Sequence, residues 1–425
     1  MNYNETLEYI HSLKQFGVKP SLERIGRLTA ALGNPQDKLR CVHVAGTNGK
    51  GSTATMTANI LRQAGYKTGL FISPYILNFR ERMQINGEMI GEEALCGVMD
   101  RVRAAMESLE GEAPNEFEVI TAAGLLWFCE QNCEVVVLEV GLGGRYDATN
   151  IIPPPLAAVI TSIDLDHTHI LGDTVEVIAA EKCGIIKPRT PVVCYPDQNP
   201  DALGVIMEHC ALQGATLHMG SLNGAEVLEC GLEGSRIRCE EQEIYIPLIG
   251  RHQIANTLTV LETVKVLRQR GLFISPKAVE EGIAQTRFPA RLEILSREPL
   301  VIVDGAHNPS GAAALSEALK LLDGRPITAL CGMLADKDWA TSLGLVLKHC
   351  SRLVAVRPQN PRALEPEILA AEGAKYCPAQ TAQSLEEGWR MAREQGAPVL
   401  VWGSLYLAAD LRTIVLEDLS PKAPM

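Results

Sequence analysis

Apolar runs rich in β-branched residues alternate with longer amphipathic stretches along this chain. The clearest runs lie at residues 40–46, 68–73, 134–141 and 157–163. Continuous apolar runs are typical of strands buried on both faces, and the amphipathic stretches between them are typical of covering helices. The alternation therefore predicts an α/β chain with a mostly parallel sheet.

The length and a change of pattern along the chain indicate two domains. The chain has 425 residues, against about 150 residues for an average domain. Residues 214–249 change to short alternating segments with glycine turns, which indicate a small antiparallel insertion. A second strand–helix alternation begins near residue 290. We therefore predict a larger domain at 1–289, with a mostly parallel sheet and this insertion, and a smaller Rossmann-like α/β domain at 290–425.

Composition excludes several classes of partner. The formal net charge is −12, which opposes attraction to nucleic-acid backbones, although local cations can still hold a small anion. No stretch approaches the roughly 18 apolar residues of a membrane span, and the amino terminus lacks the pattern of a signal peptide. We expect a cytoplasmic protein that binds neither nucleic acid nor membrane. The cysteines form no C-x-x-C pair, which favours buried free thiols.

The segment HVAGTNGKGST at residues 43–53 carries the strongest local signal for chemistry. It follows an apolar strand and opens an amphipathic helix, so its backbone N–H groups can face phosphates and Lys50 can reach them. It departs from the usual G-x-x-x-x-G-K-[ST] pattern, because Val44 replaces the first glycine and Gly51 follows the lysine. The context predicts a P-loop that binds ATP through Gly46, Thr47, Asn48, Gly49, Lys50, Gly51, Ser52 and Thr53.

Glu139 ends the apolar segment VVVLE and comes directly before a glycine-rich stretch. Its carboxylate is expected at the carboxyl edge of the sheet beside the loop, where a nucleotide-bound Mg²⁺ needs an oxygen ligand. Taken alone, a glutamate at this position also fits a solvated strand end. The base-reading motif N-K-x-D is absent, which argues against a signalling GTPase.

Several sequence blocks together resemble the folylpolyglutamate synthase/dihydrofolate synthase family, which is Mur-ligase-like. They span nearly the whole chain and occur in the family's order. The blocks are GTNGKGS at 46–52, Ser73-Pro74, EVGLGGR at 139–145, DATN at 147–150, Asp166-His167, EKCGI at 181–185, GRHQIAN at 250–256, Arg291, and DGAHNP at 304–309.

This resemblance implies an ATP-dependent ligase that joins the amine of L-glutamate to a carboxyl group of a pteroate or folate. The carboxylate would first take the γ-phosphoryl group of ATP to give an acyl phosphate, which the amine then attacks. The implied partners are ATP, L-glutamate, and dihydropteroate or tetrahydrofolate polyglutamates. We expect a monomer with both dihydrofolate synthase and folylpolyglutamate synthase activities; a monofunctional folylpolyglutamate synthase is the alternative.

The resemblance also implies a magnesium site. It assigns Ser73, Glu139 and His167 as ligands, and Ser52 or Thr53 can add a hydroxyl from the loop. Since Mg²⁺ prefers oxygen ligands, the histidine is the least expected member on chemical grounds. From the residues alone, the histidines of the DHTH segment at 166–169 fit a helix cap or a core position equally well.

Lys50, His167 and Lys182 are the catalytic side chains that the resemblance implies. Lys182 matches a lysine that the family carries as a carbamate, in which CO₂ converts the ammonium group into an anion. From the residues alone, an unmodified lysine that pairs with phosphate or lies on a helix surface fits as well.

Two further groups of residues are assigned by the same resemblance. Nucleotide contacts fall on Asn256, Arg291, Asp304 and His307, of which the last two would come from the second domain across a closing cleft. Pterin contacts fall on Phe117, Glu118, Asp147 and Ala148. Many relatives carry histidine after the Ser-Pro pair, where this chain has Tyr75.

Two rival functions remain as alternatives. Mur ligases that build peptidoglycan precursors share the loop and the acyl-phosphate chemistry, but they usually place a domain of about 100 residues before the loop. Here about 45 residues precede Gly46, which argues against this rival. A nucleotide switch that does not ligate is disfavoured by Arg291, Asp304 and His307 in a separate domain.

Overall fold

The computed structural model describes residues 1–14, 21–394 and 396–419, and its contacts divide the chain into two compact units. The first comprises Met1–Ala225 and Ala255–Thr286, and the second comprises Glu226–Ile254 and the chain from Arg287 onward. Residues 226–254 thus group with the second unit, whereas the sequence analysis placed them in the first domain. As domain limits, 1–289 and 290–425 stay a prediction.

The first unit is built on an eight-stranded sheet. Its strands are β1 (Cys41–Ala45), β2 (Thr68–Phe71), β3 (Met83–Ile85), β4 (Glu88–Met89), β5 (Val135–Glu139), β6 (Ala157–Ile160), β7 (Val192–Cys194) and β8 (Leu217–Met219). The spatial order is β4-β3-β2-β5-β1-β6-β7-β8, and only β3 and β4 pair antiparallel to their neighbours. β1, β2, β5 and β6 are buried throughout and lie inside the four apolar runs, so those strand predictions are confirmed.

The antiparallel insertion is shorter than predicted. β9 (Ala225–Gly231), β10 (Gly234–Cys239) and β11 (Gln242–Ile246) form a three-stranded sheet in the order β11-β10-β9. β8, which was predicted to belong to the insertion, instead pairs parallel with β7 at the edge of the large sheet. β8 is a partly exposed edge strand of the large sheet, not part of a separate sheet, and this part of the prediction was wrong.

Helices cover the large sheet. They are α1 (Tyr3–Ser12), α2 (Glu23–Ala31), α3 (Lys50–Gln63), α4 (Glu92–Glu107), α5 (Glu116–Glu130), α6 (Thr168–Leu171), α7 (Val175–Lys182), α8 (Pro200–Gln213), α9 (Arg251–Gln269) and α10 (Pro276–Ala284). α5 is buried from Glu118 to Phe128, as expected for a helix that is apolar all round. No helix in the described ranges is long and apolar enough to cross a membrane.

The second unit contains a six-stranded sheet and its own core. The strands are β12 (Glu293–Arg297), β13 (Leu300–Val303), β14 (Ile327–Cys331), β15 (Cys350–Ala355), β16 (Ala379–Thr381) and β17 (Val399–Trp402). The helices are α11 (Pro309–Leu319), α12 (Trp339–Leu347), α13 (Pro366–Gly373), α14 (Leu385–Arg393) and α15 (Leu405–Leu419). The order is β12-β13-β17-β14-β15-β16, with β12 antiparallel and the others parallel. The predicted α/β fold class is confirmed.

Candidate active site

The glycine-rich loop joins the end of β1 to the start of α3. The backbone N–H of Thr47 donates to the Ser162 carbonyl at 2.7 Å, and the N–H of Asn48 reaches the same oxygen at 3.3 Å. The Thr47 hydroxyl donates to the Asp164 carbonyl at 3.0 Å and accepts from the Asp164 N–H at 3.1 Å. The loop is therefore fixed to the segment after β6, the neighbouring strand.

Two lysine side chains meet at this loop. Lys50 Nζ donates to the carbonyls of Gly46 at 3.1 Å and Thr47 at 3.0 Å. Lys182, at the end of α7, is buried and donates to the Gly46 carbonyl at 2.7 Å. Burial, reinforced by the positive charge of Lys50, lowers the pKa of Lys182 to about 7. An amine with this pKa is partly neutral at physiological pH, and a neutral amine is a nucleophile.

Ser73 and Glu139 lie together at the carboxyl ends of the adjacent strands β2 and β5. The Ser73 N–H donates to Glu139 Oε2 at 3.0 Å, and Arg82 Nη1 donates to Ser73 Oγ at 3.1 Å. The Arg82 guanidinium also lies over the rings of Tyr75, at 5.2 Å, and Phe79, at 5.7 Å. The sequence analysis assigned Ser73 and Glu139 to the predicted magnesium site but did not single out Arg82, for which the only local signal was the pattern FRER after the Ser-Pro pair.

His167 follows the segment that Thr47 holds. Its backbone adopts a left-handed conformation with φ of 50°, and its N–H donates to Asp166 Oδ1 at 2.8 Å. The His167 ring is partly exposed, and its Nε2 lies 3.9 Å from the same carboxylate. The rings of His167 and His169 are 6.3 Å apart.

The donors at this edge suit magnesium better than a transition metal. Across residues 1–14, 21–394 and 396–419, no three His, Cys, Asp or Glu side chains form a metal-binding group. Mg²⁺ commonly takes one or two carboxylates and completes its shell with water and substrate phosphates. A buried carboxylate of Glu139 in contact with Ser73 fits that mode of binding. Ser52 lies buried in the first turn of α3.

Asn256, in α9, lies against the loop. An ideal Cβ built on Gly49 would stand 2.4 Å from Asn256 Oδ1, and Gly49 has φ of +85°. Only glycine therefore fits at this position without displacing the amide. The predicted nucleotide contact Asn256 is thus adjacent to the predicted phosphate loop.

The predicted pterin residues Phe117 and Glu118 begin α5. The Phe117 ring meets Phe71 edge-on at a centroid distance of 6.1 Å. The Glu118 carboxylate is buried and accepts from Arg24 Nε at 3.1 and 3.2 Å and from the Asn115 N–H at 2.7 Å. Glu118 is therefore engaged in an internal ion pair that the sequence did not reveal, because Arg24 lies 94 residues away.

Asp147 and Ala148 are buried at the start of a short 3₁₀ helix, Ala148–Ile151. Burial raises the pKa of Asp147, while its hydrogen bonds to Thr149, Leu142 and Gly141 lower it. Through these hydrogen bonds the Asp147 carboxylate holds the backbone of its own loop in place.

In the second unit, Arg291, Asp304 and His307 lie at the carboxyl end of β13. Asp304 Oδ2 accepts from the Leu292 N–H and Oδ1 from the Ala306 N–H, both at 2.8 Å. Burial raises the pKa of Asp304, and the Arg291 guanidinium opposes this shift. His307 Nδ1 lies 2.8 Å from the Gly305 carbonyl, which can only accept, so Nδ1 carries a proton.

The sequence analysis also missed His252, which lies near Arg291. Burial and the Arg291 charge lower the pKa of His252 to about 4, so this imidazole is neutral at physiological pH.

Comparison with known proteins gives a consistent picture. The Mur ligase middle domain matches residues 44–264, and the Mur ligase glutamate ligase domain matches residues 290–405. The folylpolyglutamate synthase of Lacticaseibacillus casei is 38% identical over 98% of this chain and 99% of its own length. The dihydrofolate synthase/folylpolyglutamate synthase of Bacillus subtilis (strain 168) is 36% identical over 96% of this chain and 98% of its own length.

A solved structure agrees with these matches. The structure of Escherichia coli FolC in complex with DHPP and ADP superposes with a TM-score of 0.87 at 30% identity, covering 99% of both chains. The likeness therefore extends over both units and is not confined to the loop.

Proposed function

Because the chain belongs to the Mur ligase family, among its folylpolyglutamate and dihydrofolate synthases, we propose that it joins the amine of L-glutamate to a carboxyl group of a pteroate or folate with cleavage of ATP. One observation supports the proposal most strongly: Lys50 and Lys182 both donate to the Gly46 carbonyl at the end of β1. The adjacent strand β5 ends at Glu139. The Lys50 cation and the loop N–H groups, placed beside the Glu139 strand, suit a reaction between two anions.

The acceptor carboxylate must be activated before an amide can form, because a carboxylate is a poor electrophile. A carboxylate oxygen of the acceptor attacks the γ-phosphorus of ATP, and ADP leaves, which gives an acyl phosphate. The glutamate amine then attacks the acyl carbon, and phosphate leaves with that oxygen as the amide forms. Lys50 and the N–H groups of the loop hold the phosphates in line and offset their charge, which is the main means of catalysing phosphoryl transfer.

Ser73, Glu139, His167 and Ser52 are the residues that would hold magnesium in this proposal. When bound, Mg²⁺ offsets the charge on the terminal phosphates. The Ser73 N–H keeps the Glu139 carboxylate oriented through its 3.0 Å bond. Arg82 donates to Ser73 Oγ and adds a fixed positive charge where the two anionic substrates approach.

The remaining assignments concern the nucleotide and the acceptor. Asn256, Arg291, Asp304 and His307 bind the nucleotide, with the amide reading the adenine edge and the guanidinium pairing with phosphate. Phe117 stacks on the pterin ring, and Glu118, Asp147 and Ala148 shape that part of the site. The enzyme acts as a monomer in the cytoplasm in this proposal.

We further propose that one site serves both dihydropteroate and reduced folate, which makes the enzyme bifunctional. The test is a panel that measures ADP release and the mass of the product with ATP, L-glutamate and each acceptor in turn. Glutamylated products are expected with dihydropteroate and with tetrahydrofolate. Product from tetrahydrofolate alone would leave a monofunctional folylpolyglutamate synthase, and ADP release without any glutamylated product would contradict the proposal.

Lys182 is the residue proposed to carry a carbamate. Its pKa of about 7 leaves a neutral amine that attacks CO₂, which forms an N–C bond and releases a proton. In ¹³C-bicarbonate we expect one carbamate carbonyl resonance in the NMR spectrum, absent from Lys182→Ala. The matched control is Lys187→Arg, which removes a second lysine amine whose pKa is lowered by burial, to about 8. A resonance that survives Lys182→Ala would contradict the assignment.

A further inference from the structure

A chain of buried hydrogen bonds links the central strand β1 to the loop after β5. His43, in the middle of β1, is fully buried, and its Nε2 lies 2.8 Å from Thr149 Oγ1. The hydroxyl and the N–H of Thr149 both donate to Asp147 Oδ1, at 2.5 and 3.0 Å. Asp147 Oδ2 accepts from the N–H groups of Gly141 and Leu142, each at 3.0 Å.

The direction of these bonds follows from the available protons. Thr149 has one hydroxyl proton, which it gives to the Asp147 carboxylate, so its oxygen must accept from His43. The His43 proton is therefore on Nε2, and within the described residues Nδ1 has no hydrogen-bond partner. Burial and the positive charge of Lys187 lower the pKa of His43 to about 3, which keeps the ring neutral.

The far end of this chain reaches the predicted pterin residue Phe117. An ideal Cβ built on Gly141 would stand 2.6 Å from Phe117 Cζ, so the phenyl ring rests directly on the Gly141 backbone. Asp147 fixes that backbone through the Gly141 and Leu142 N–H groups. A shift of the Asp147 carboxylate would therefore move the surface against which the ring packs.

The turn that carries Thr149 is also fixed at its other end. Lys187 Nζ donates to the carbonyls of Asn150, at 2.8 Å, and Ile152. Asp147 caps the start of this turn and Lys187 binds its last carbonyls. His43 thus contacts a turn that is held at both ends, and removing its bond leaves the Thr149 hydroxyl oxygen, which donates to Asp147, without its own donor.

We propose that His43 and Thr149 are positioning residues for the acceptor: through Asp147 they hold the 141–142 backbone and the Phe117 ring in the arrangement that receives the acceptor's flat ring system. This inference rests on the proposed function and names the part of the site that orders the acceptor. Neither residue touches the substrate itself.

The experiment compares steady-state kinetics and melting temperatures of variants of the full chain. Thr149→Val keeps the shape of the side chain but removes the hydroxyl, and it should raise the KM for dihydropteroate about tenfold, as expected for a buried hydrogen bond left unpaired. The KM for ATP should change less than about twofold, since the loop contacts of Lys50 are untouched. Thr149→Ser should behave as the wild type.

His43 variants test the other end of the same chain. His43→Gln retains a donor and should preserve the acceptor KM, whereas His43→Leu should raise it as Thr149→Val does. The double variant His43→Leu, Thr149→Val should raise the acceptor KM no further than either single variant does, because the two changes remove the same linkage. If Thr149→Val fails to fold, the His43→Gln and His43→Leu pair makes the same comparison.

Thr263→Val is the matched control for the loss of a buried threonine hydroxyl, since among the described residues the Thr263 hydroxyl bonds only its own helix, at 2.8 Å to the Thr259 carbonyl. It should leave both KM values unchanged. An unchanged acceptor KM in Thr149→Val and His43→Leu, or an equal rise in the KM for ATP, would overturn the positioning role alone. A wild type that ligates glutamate to no pteroate or folate would overturn the proposed function and this role with it.

Discussion

Lys182 is buried in the first unit within reach of the charge of a second lysine, Lys50. Lys182 retains a hydrogen bond to the Gly46 carbonyl, yet burial and Lys50 lower its pKa to about 7. Such shifts are frequent at catalytic sites, because they produce a neutral amine near neutral pH. The shift also has a consequence for stability that does not depend on catalysis.

That consequence can be measured by replacing Lys182 with methionine. The folded pKa of about 7 lies below the ordinary value of about 10.4, so between these values the unfolded chain binds more protons. The free energy of unfolding contributed by Lys182 therefore rises with pH across this window. In CO₂-free buffer, Lys182→Met should be more stable than the wild type at pH 6, and the difference should shrink towards pH 10. Denaturant unfolding at several pH values measures this, and a difference independent of pH would contradict the lowered pKa.

Candidate site residues could be proposed from short sequence blocks, but the side chains that bond to them from distant parts of the chain could not. The loop at 46–53 and Glu139 could be predicted because each follows or ends an apolar strand, whereas Ser73 and Lys182 were predicted only from the family resemblance, and all these roles stay predictions. Arg82 on Ser73, and Arg24 on Glu118, could not be found because pairing between distant side chains leaves no local pattern. For Glu118 this matters, since the ion pair engages a carboxylate that was assigned to the pterin.

At the scale of elements, the phosphate loop depends on its contact with α9. Gly49 has a left-handed conformation and no room for a Cβ beside Asn256. The strands that frame this loop were predicted from their apolar runs, whereas β8 was assigned to the wrong sheet. A three-residue, partly exposed edge strand resembles part of an antiparallel hairpin in sequence, so its pairing could not be predicted from its pattern.

Gly49→Ala tests the contact between the loop and α9. Both the strained backbone and the displaced Asn256 amide should raise the KM for ATP, by roughly tenfold to a hundredfold for a misplaced binding group. Gly65→Ala is the matched control, because Gly65 has a similar φ of +94° but nothing within 4 Å of its Cβ position. Both variants should lose about 1–2 kcal/mol of stability from the left-handed conformation. An equal KM for ATP in the two variants would contradict the role of the contact.

At the scale of the whole molecule, two α/β units were predicted and found, and the domain limits 1–289 and 290–425 stay a prediction. Residues 226–254 group with the second unit. Ile249 belongs to the apolar core of that unit, and Arg297 forms an ion pair with Glu233. The sequence analysis placed this segment in the first domain. The break in the apolar pattern indicates an insertion, but it does not indicate which apolar core the insertion packs against.

The central claim is that the acceptor carboxylate is activated by phosphoryl transfer, and isotope transfer tests it most directly. Dihydropteroate labelled with ¹⁸O at both carboxylate oxygens is incubated with the wild-type enzyme, ATP and L-glutamate, and the released phosphate is analysed by mass spectrometry. We expect one ¹⁸O atom in phosphate for each amide formed, since the leaving phosphate carries the oxygen that attacked ATP. Amide formation that yields unlabelled phosphate would contradict an acyl phosphate.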